Sequence, residues 1–348
     1  MQGMEHEHED VFGKSFSLYN RVDIDEFIEP FEVRFRENGI DPDRLFAGKR
    51  CLDAGCGGRG SIFMLQHGAK SVNCVDISET NIQSTTRNLE MYGFAGKFET
   101  ALSTLEKIPY ADNEFDFVWC NGVVMHAANP DACLSELVRV LKVGGKSWIY
   151  IYGSGGIYWY IVSRIREILR AVTASQCLAA LQLIKYPVRF IAEYMDDWKV
   201  PYLRTYVHAD LGRRMTELGL SESAPLQFGM SYDTSHRRAK FANEADLFGE
   251  GDLRYLVEKI GGLSKAQNKL SDSEYGSDYT YPLQAFGSVP SLMDQIAKMV
   301  SGQSLRAISA CAQIQYVLRE FMSETTTFDL PKFERHLESV ISLLKAAA

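Results

Sequence analysis

Two carboxylates and a run of glycines open the chemistry of this chain. Asp53 stands two residues before the first glycine of "CLDAGCGGRG" (Cys51 to Gly60), and Asp76 closes the apolar run "SVNCVDIS". Glycine has no Cβ, so Gly55, Gly57, Gly58 and Gly60 let the main chain turn at positive φ and let a ligand lie against bare peptide groups. A carboxylate at the mouth of such a loop attracts a cationic amine and repels a pyrophosphate. A second carboxylate, one strand further on, is placed to accept hydrogen bonds from both hydroxyls of a ribose. His126, in "NGVVMHAANP", and the group Tyr202, Arg204, Tyr206 and His208, in "PYLRTYVHAD", supply side chains that could contact an acceptor or move a proton near neutrality.

The elements that must position these residues alternate. "KRCLDAG", "SVNCVDIS", "GKFETAL", "FDFVWCN" and "KSWIYIYG" are short apolar strands. "SIFMLQHG", "ETNIQSTTRNLEMYG" and "PDACLSELVRVLKVGG" are helices that stop on glycine. Strands separated by helices of this length imply right-handed crossovers and a parallel sheet covered on both faces, a doubly wound α/β fold. In such a sheet the ligand crevice lies beyond the carboxyl ends of the strands, where the glycine loop falls.

Around this core the spacing predicts five regions: 1–45, leader and lid helices, with Pro30 interrupting; 46–153, the ligand-binding core; 154–205, a helical insertion that caps the acceptor; 206–289, the rest of the core with an irregular segment; and 290–348, a helical bundle. Strands are expected near "ESAPLQFGMSY" and at "PLQAFGSV", while Asp233 to Tyr281 is unassigned. "HRR" (His236 to Arg238) reads either as an anion site or as a surface turn. The arginines Arg164, Arg166 and Arg170 give the insertion a membrane-surface reading, weakened by the scarcity of lysine on its polar face.

Composition narrows the class. At 348 residues, 46% hydrophobic and 24% charged, the chain can bury one large core and a second smaller one. A net charge of −8 argues against a protein whose affinity comes from neutralising phosphates, so no nucleic-acid partner is expected. The seven cysteines include no C-x-x-C pair and read as free thiols in a reducing compartment. The acidic start "MQGMEHEHED" has no signal-like apolar segment, and no run reaches membrane-spanning length, so a cytoplasmic protein is expected. His6 and His8 read as solvated, and no metal is expected.

Two ligand classes use a glycine loop in this position, dinucleotides and S-adenosylmethionine. Asp53 favours the second, because its methionyl amine is cationic. The segments "CLDAGCGGRGS", "VDIS", "IPYADNEFDFVWCNGVVMHAANP" and "LSELVRVLKVGGKSWIYI" occur in order and, together, resemble the small-molecule branch of the class I, Rossmann-like S-adenosylmethionine-dependent methyltransferases, over about Lys49 to Gly153. The resemblance assigns Asp53, Gly55 and Gly57 to the cofactor loop and Asp76, with Ile77 after it, to the ribose side of the site. It places Asn121 beside the transferable methyl. Two positions depart from the pattern. Arg59 stands where a glycine is usual, so that either the loop tightens or Arg59 points outward or toward the methionine carboxylate. Thr104 and Leu105 stand where an acid commonly meets the adenine amino group, leaving hydroxyl, backbone and apolar contacts to adenine.

What the resemblance implies is methyl transfer to a small molecule, at oxygen or nitrogen, in a closed, poorly hydrated pocket, since charge on sulfur disperses in the transition state. His126 is the expected proton acceptor, unless it caps a helix or packs as a neutral core residue. Tyr202 and His208 are expected to complete the acceptor pocket, unless their segment is a solvated loop. Phe16, Tyr19, Tyr152, Tyr158, Trp159 and Tyr160 form either a lid that excludes water or ordinary core. A homodimer through the helical regions is expected. The competing functions are an RNA or protein methyltransferase and a cofactor-binding protein of the same fold without turnover.

Overall fold

The computed structural model describes residues 9–261 and 281–346. His6 and His8, and part of the unassigned stretch before Tyr281, lie outside the described residues. Six strands form one sheet in the order β3-β2-β1-β4-β5-β6: β1 (Arg50–Ala54), β2 (Ser71–Asp76), β3 (Phe98–Leu102), β4 (Phe115–Asn121), β5 (Leu141–Tyr152) and β6 (Asp252–Glu258). The first five are parallel, with Asp53 beside Cys74 on β2 and beside Trp119 on β4. Strand order reverses between β1 and β4, which opens the crevice next to the glycine loop.

A leader of tight helical turns (Glu9–Phe16) precedes α1 (Arg21–Glu37). Asn20 caps α1 by accepting from the Val22 and Asp23 amides, and the Asp23 carboxylate accepts in return from the Asn20 amide. Pro30 does not interrupt this helix. It is buried inside one continuous element of 17 residues. The remaining helices up to β5 are α2 (Pro42–Phe46), α3 (Arg59–Gln66), α4 (Glu79–Met91) and α5 (Pro130–Val140). On one face of the sheet Phe35, Phe46 and Phe63 from α1, α2 and α3 pack against Trp119 and Trp148, whose rings stack across β4 and β5 at 5.2 Å. On the other face α5 contributes Leu134, Leu137 and Val138.

The insertion consists of α6 (Gly156–Ile168), α7 (Ala174–Leu183) and α8 (Val188–Lys199). It is followed by α9 (His208–Glu217) and a short α10 (Thr234–Lys240). The C-terminal region is α11 (Val289–Val300), α12 (Ser304–Ser323) and α13 (Leu330–Ala346). These helices and the insertion share one apolar core, in which α12 packs on α6 and α7. No described helix is long and apolar enough to cross a membrane. All seven cysteines are buried and unpaired.

Four local expectations are corrected. The helix before β5 ends at Val140 rather than at Gly145. The strand begins at Leu141, and its pairing with β4 shifts register between Phe115 and Phe117. A Cβ on Gly145 would sit 2.9 Å from the Asp116 carbonyl oxygen, so a glycine inside the strand allows that close approach. The segment around "ESAPLQFGMSY" is not a strand; it runs along β6 with single hydrogen bonds, from the Ser221 amide to the Glu258 carbonyl and from the Leu226 amide to the Arg254 carbonyl, each 2.7 Å. "PLQAFGSV" contains a 3-10 turn at Leu283–Phe286 that buries Phe286. The last strand is instead "DLRYLVE", inside the unassigned stretch. It pairs antiparallel to β5 from Lys146–Glu258 to Tyr152–Asp252 and buries Leu253, Tyr255 and Val257 on one face and Arg254 on the other.

Candidate functional site

A cavity of about 510 Å³ opens at the carboxyl ends of β1, β2, β4 and β5. The loop after β1 presses against its neighbours there. Gly55 has φ +80°, and a Cβ on it would meet the Val123 side chain at 2.4 Å; one on Gly60 would meet the Trp119 indole nitrogen at 2.6 Å. Only glycine fits at either place.

Asp53 is 3% exposed, and its Oδ2 accepts from the Ser61 amide at 2.9 Å and the Ser61 hydroxyl at 2.5 Å. Burial pushes this carboxyl up to about 6, against the opposing pull of the Ser61 hydrogen bonds and the Arg59 charge. A buried carboxylate held at such cost suits a cation. Asp76 Oδ1 accepts from the Ser78 amide at 2.8 Å and from the Asn81 side-chain amide at 3.4 Å. Asp76 does not cap α4: Ser78 does so, accepting from the Asn81 amide at 3.0 Å. Gly57, Ile77, Thr104, Leu105 and Asn121 also line the cavity. Ile77 is half exposed and Leu105 is buried. Thr104 Oγ1 accepts from the Glu106 amide at 3.2 Å, and Asn121 Oδ1 accepts from the Trp148 indole at 2.9 Å.

Arg59 turns toward the leader. Its guanidinium lies 4.3 Å from the Phe16 ring centroid, 4.7 Å from that of Phe27 and 5.7 Å from that of Tyr19. Among the described residues no carboxylate forms an ion pair with it, and the buried Tyr19 hydroxyl beside it has no hydrogen-bond partner. Both line the cavity. A cation and an O–H donor left without an anion suit a carboxylate ligand.

The opposite end is built by β4, β5 and the insertion. His126 Nδ1 donates to the Tyr202 carbonyl oxygen at 2.9 Å, and its Nε2 lies 3.2 Å from Asp196 Oδ1. The ring is flanked by Phe12 and Tyr152, each at 5.6 Å. Asp196 Oδ2 accepts from the Tyr152 hydroxyl at 2.8 Å. Asp197 accepts from the Tyr158 hydroxyl and from the Gln315 amide, both at 2.5 Å. Burial, with Asp196 and Glu193 beside it, pushes the Asp197 carboxyl well above the usual range. Glu193 pairs with Arg319 of α12. Behind these, Asp233 accepts both Arg34 nitrogens, Nε at 2.9 Å and Nη2 at 2.7 Å, and Arg254 Nη2 at 3.1 Å.

The structure therefore brings Asp53, Gly55, Gly57, Arg59, Asp76, Ile77, Thr104, Leu105, Asn121, His126 and Tyr202 around one cavity, and it places His208 elsewhere. His208 begins α9, and its Nδ1 lies 2.9 Å from the Tyr255 hydroxyl on β6. Tyr206 is buried in the core, and Arg204 covers the Tyr202 ring at 4.5 Å. The "HRR" segment is no anion site: Arg237 is buried, and donates to the carbonyls of Met322, Glu324 and Thr326 that end α12. Two of the three insertion arginines turn inward or pair, Arg166 to the carbonyls of Asp197 and Val200 and Arg164 to Glu167 and Asp294, while Arg170 is exposed. Asp196, Glu193 and Arg319 are functional candidates that sequence reasoning missed. The available signal was "EYMDDW", which puts three acids on one face of an otherwise apolar helix.

Residues 52–149 match the family model described as methyltransferase domain. The sarcosine/dimethylglycine N-methyltransferase of Aphanothece halophytica is 30% identical over 100 residues, 28% of this chain and 36% of that protein. Methyltransferase GfsG of Streptomyces halstedii is 27% identical over 101 residues, 29% of this chain and 36% of that protein. Phosphoethanolamine N-methyltransferase 3 of Arabidopsis thaliana is 28% identical over 135 residues, 38% of this chain and 27% of that protein. The matched part of the chain thus spans about a third of the length of these relatives. With the strand order and the cavity where the glycine loop ends β1, the match makes residues 52–149 a class I S-adenosylmethionine-dependent methyltransferase domain.

Proposed function

We propose that this protein transfers the methyl group of S-adenosylmethionine to a nitrogen or oxygen of a small molecule held in the aromatic part of the cavity. The observation that carries the reading is one continuous cavity with Asp53, Arg59 and Asp76 at one end and His126 and Tyr202 at the other. When bound, the sulfonium cofactor supplies an electrophilic methyl. Asp53 would hold its ammonium, Arg59 and Tyr19 its carboxylate, Asp76 its ribose hydroxyls, and Ile77 and Leu105 the faces of its adenine, with the hydroxyl of Thr104 at the ring edge. Asn121 would border the methyl.

The other residues work by exclusion and alignment. Phe12, Phe16 and Tyr19 from the leader and Tyr152, Tyr158 and Trp159 from the β5–α6 region line the wall, so a closed cavity holds little water. In this reading residues 1–45 are a lid and 154–205 an acceptor cap. The C-terminal helices take part as well, because Arg319 and Met322 of α12 reach the cavity. Relatives that match the domain bear names of methyltransferases for sarcosine, dimethylglycine and phosphoethanolamine, which supports a small acceptor.

The test is release of S-adenosylhomocysteine when the protein is incubated with S-adenosylmethionine and fractionated small-molecule extracts. The proposal expects release that depends on a particular fraction and is lost in Asp76→Ala. Binding of S-adenosylmethionine without release from any fraction would instead favour a binding protein of the same fold.

A further inference from the structure

We infer that the acceptor end of the cavity is built for an amine nitrogen, oriented by Asp196 and deprotonated by His126; this deepens the methyltransferase reading and rests on it. Helix α8 carries Glu193, Asp196 and Asp197 three and four residues apart, so all three face the cavity. Two of them have matched surroundings: Glu193 has the Arg319 guanidinium, and Asp197 has two donors, the Tyr158 hydroxyl and the Gln315 amide.

Asp196 is different. Its Oδ2 is satisfied by Tyr152, but its Oδ1 is buried without a hydrogen-bond donor. His126 Nε2 lies 3.2 Å from it, also buried and without a hydrogen-bond partner, on a side chain only 3% exposed. The tautomer follows from the other side of the ring. Nδ1 faces the Tyr202 carbonyl oxygen, which can only accept, so Nδ1 carries the hydrogen and a neutral His126 presents a lone pair at Nε2. With the ring neutral, two buried acceptor atoms face one another; a proton delivered to Nε2 turns the same 3.2 Å contact into an ion pair.

A ligand that brings N–H donors and positive charge completes this arrangement. No lysine is found among the described residues that line the cavity. Tyr152 and Trp159, whose ring centroids are 4.5 Å apart, line the same cavity. An ammonium offers several donors and a charge. A hydroxyl offers one donor, and its lone pairs would face further acceptors.

The proton inventory balances. The ammonium acceptor gives one proton to the His126 Nε2 lone pair, and the imidazolium that results donates to Asp196 Oδ1. The freed nitrogen pair forms the new bond to the methyl carbon as the carbon–sulfur bond breaks with its pair on sulfur. The methylated nitrogen is then cationic and leaves as such, and His126 returns its proton to water.

Two matched panels test this on the full chain: small primary and secondary amines, and the alcohols isosteric with them. S-adenosylhomocysteine release is the readout, and calorimetry with S-adenosylmethionine serves as the control for folding and cofactor binding. Release is expected from amines and not from their alcohol isosteres. Asp196→Asn is expected to lower kcat/KM for the best amine about 10- to 100-fold with cofactor affinity unchanged. Release from alcohols in preference to amines overturns the inference while leaving the methyltransferase reading intact, as does an Asp196→Asn protein that equals wild type on the best amine. Absent cofactor binding, or no release from either panel, overturns both. The panel comparison uses wild-type protein, so it decides the matter even if the substituted chain does not fold.

Discussion

The Arg59 guanidinium lies 4.3 Å from the centre of the Phe16 ring, which ties the glycine loop after β1 to the leader. In the account above, the charge that departs from the usual glycine pattern is the one that meets the carboxylate of the donor. Arg59→Met keeps the bulk and removes the charge. It should weaken S-adenosylmethionine binding about 10- to 100-fold, the value of one charge-assisted contact, as measured by calorimetry. Phe16→Ala should weaken binding by less and raise protease sensitivity of the leader in the cofactor-free protein.

Asp53 predicts a dependence on pH. Its carboxyl is pushed up to about 6 by burial, from an ordinary 3.8. Between those values the folded protein binds more protons than the unfolded one, so this residue's contribution to stability falls as pH rises from 4 to 6 and stays unfavourable above. Asp53→Asn should therefore raise Tm of the cofactor-free protein more at pH 7.5 than at pH 5. Cofactor binding needs the charged form, so affinity should fall by up to about tenfold per pH unit below 6. A calorimetric series from pH 5 to 8 reads both effects.

Asp233 behaves in the opposite sense. The guanidinium groups of Arg254 and Arg34 hold its carboxyl far below the usual carboxylate range despite complete burial. Its contribution is fully present above the unfolded value near 4 and is lost only as pH falls through the lower folded one. Asp233→Ala removes the anion shared by half-buried Arg34 and buried Arg254, which keeps Asp252, and should cost about 1–3 kcal/mol in urea unfolding at pH 7.

Gln315 joins the C-terminal helices to the cavity wall. It accepts from the Trp198 indole at 2.5 Å and donates to Asp197 and to the Tyr158 hydroxyl. Gln315→Leu leaves those polar groups unmatched and should cost about 1–3 kcal/mol per group. The measurement is urea denaturation, and the loss should be accompanied by a change in the acceptor KM rather than in cofactor affinity.

What could be read from the sequence was what local pattern dictates. The strand, glycine loop and acid around Asp53, and the strand that ends in Asp76, depend on residues close in the chain, and they assembled at the carboxyl ends of neighbouring strands. The last strand, "DLRYLVE", breaks alternation with Tyr255, Leu256 and Val257 in a row, follows a charged, glycine-bearing stretch and pairs antiparallel, outside the crossover rhythm of the other strands. Asp196 was illegible for another reason. It lies 70 residues from His126, and only the packing of α8 over the carboxyl ends of β4 and β5 brings the two to 3.2 Å. His208 shows the converse error. It sits near Tyr202 in sequence, but α9 begins at that point and carries its ring to Tyr255.

The central claim is that the crevice after β1 receives a sulfonium donor through Asp53 and Asp76. The most direct measurement is isothermal titration of the full chain with S-adenosylmethionine, beside Asp53→Ala and Asp76→Ala. The account predicts saturable one-to-one binding to wild type that both substitutions remove. Binding that survives both, or a crevice that takes a nicotinamide dinucleotide in preference, would contradict it.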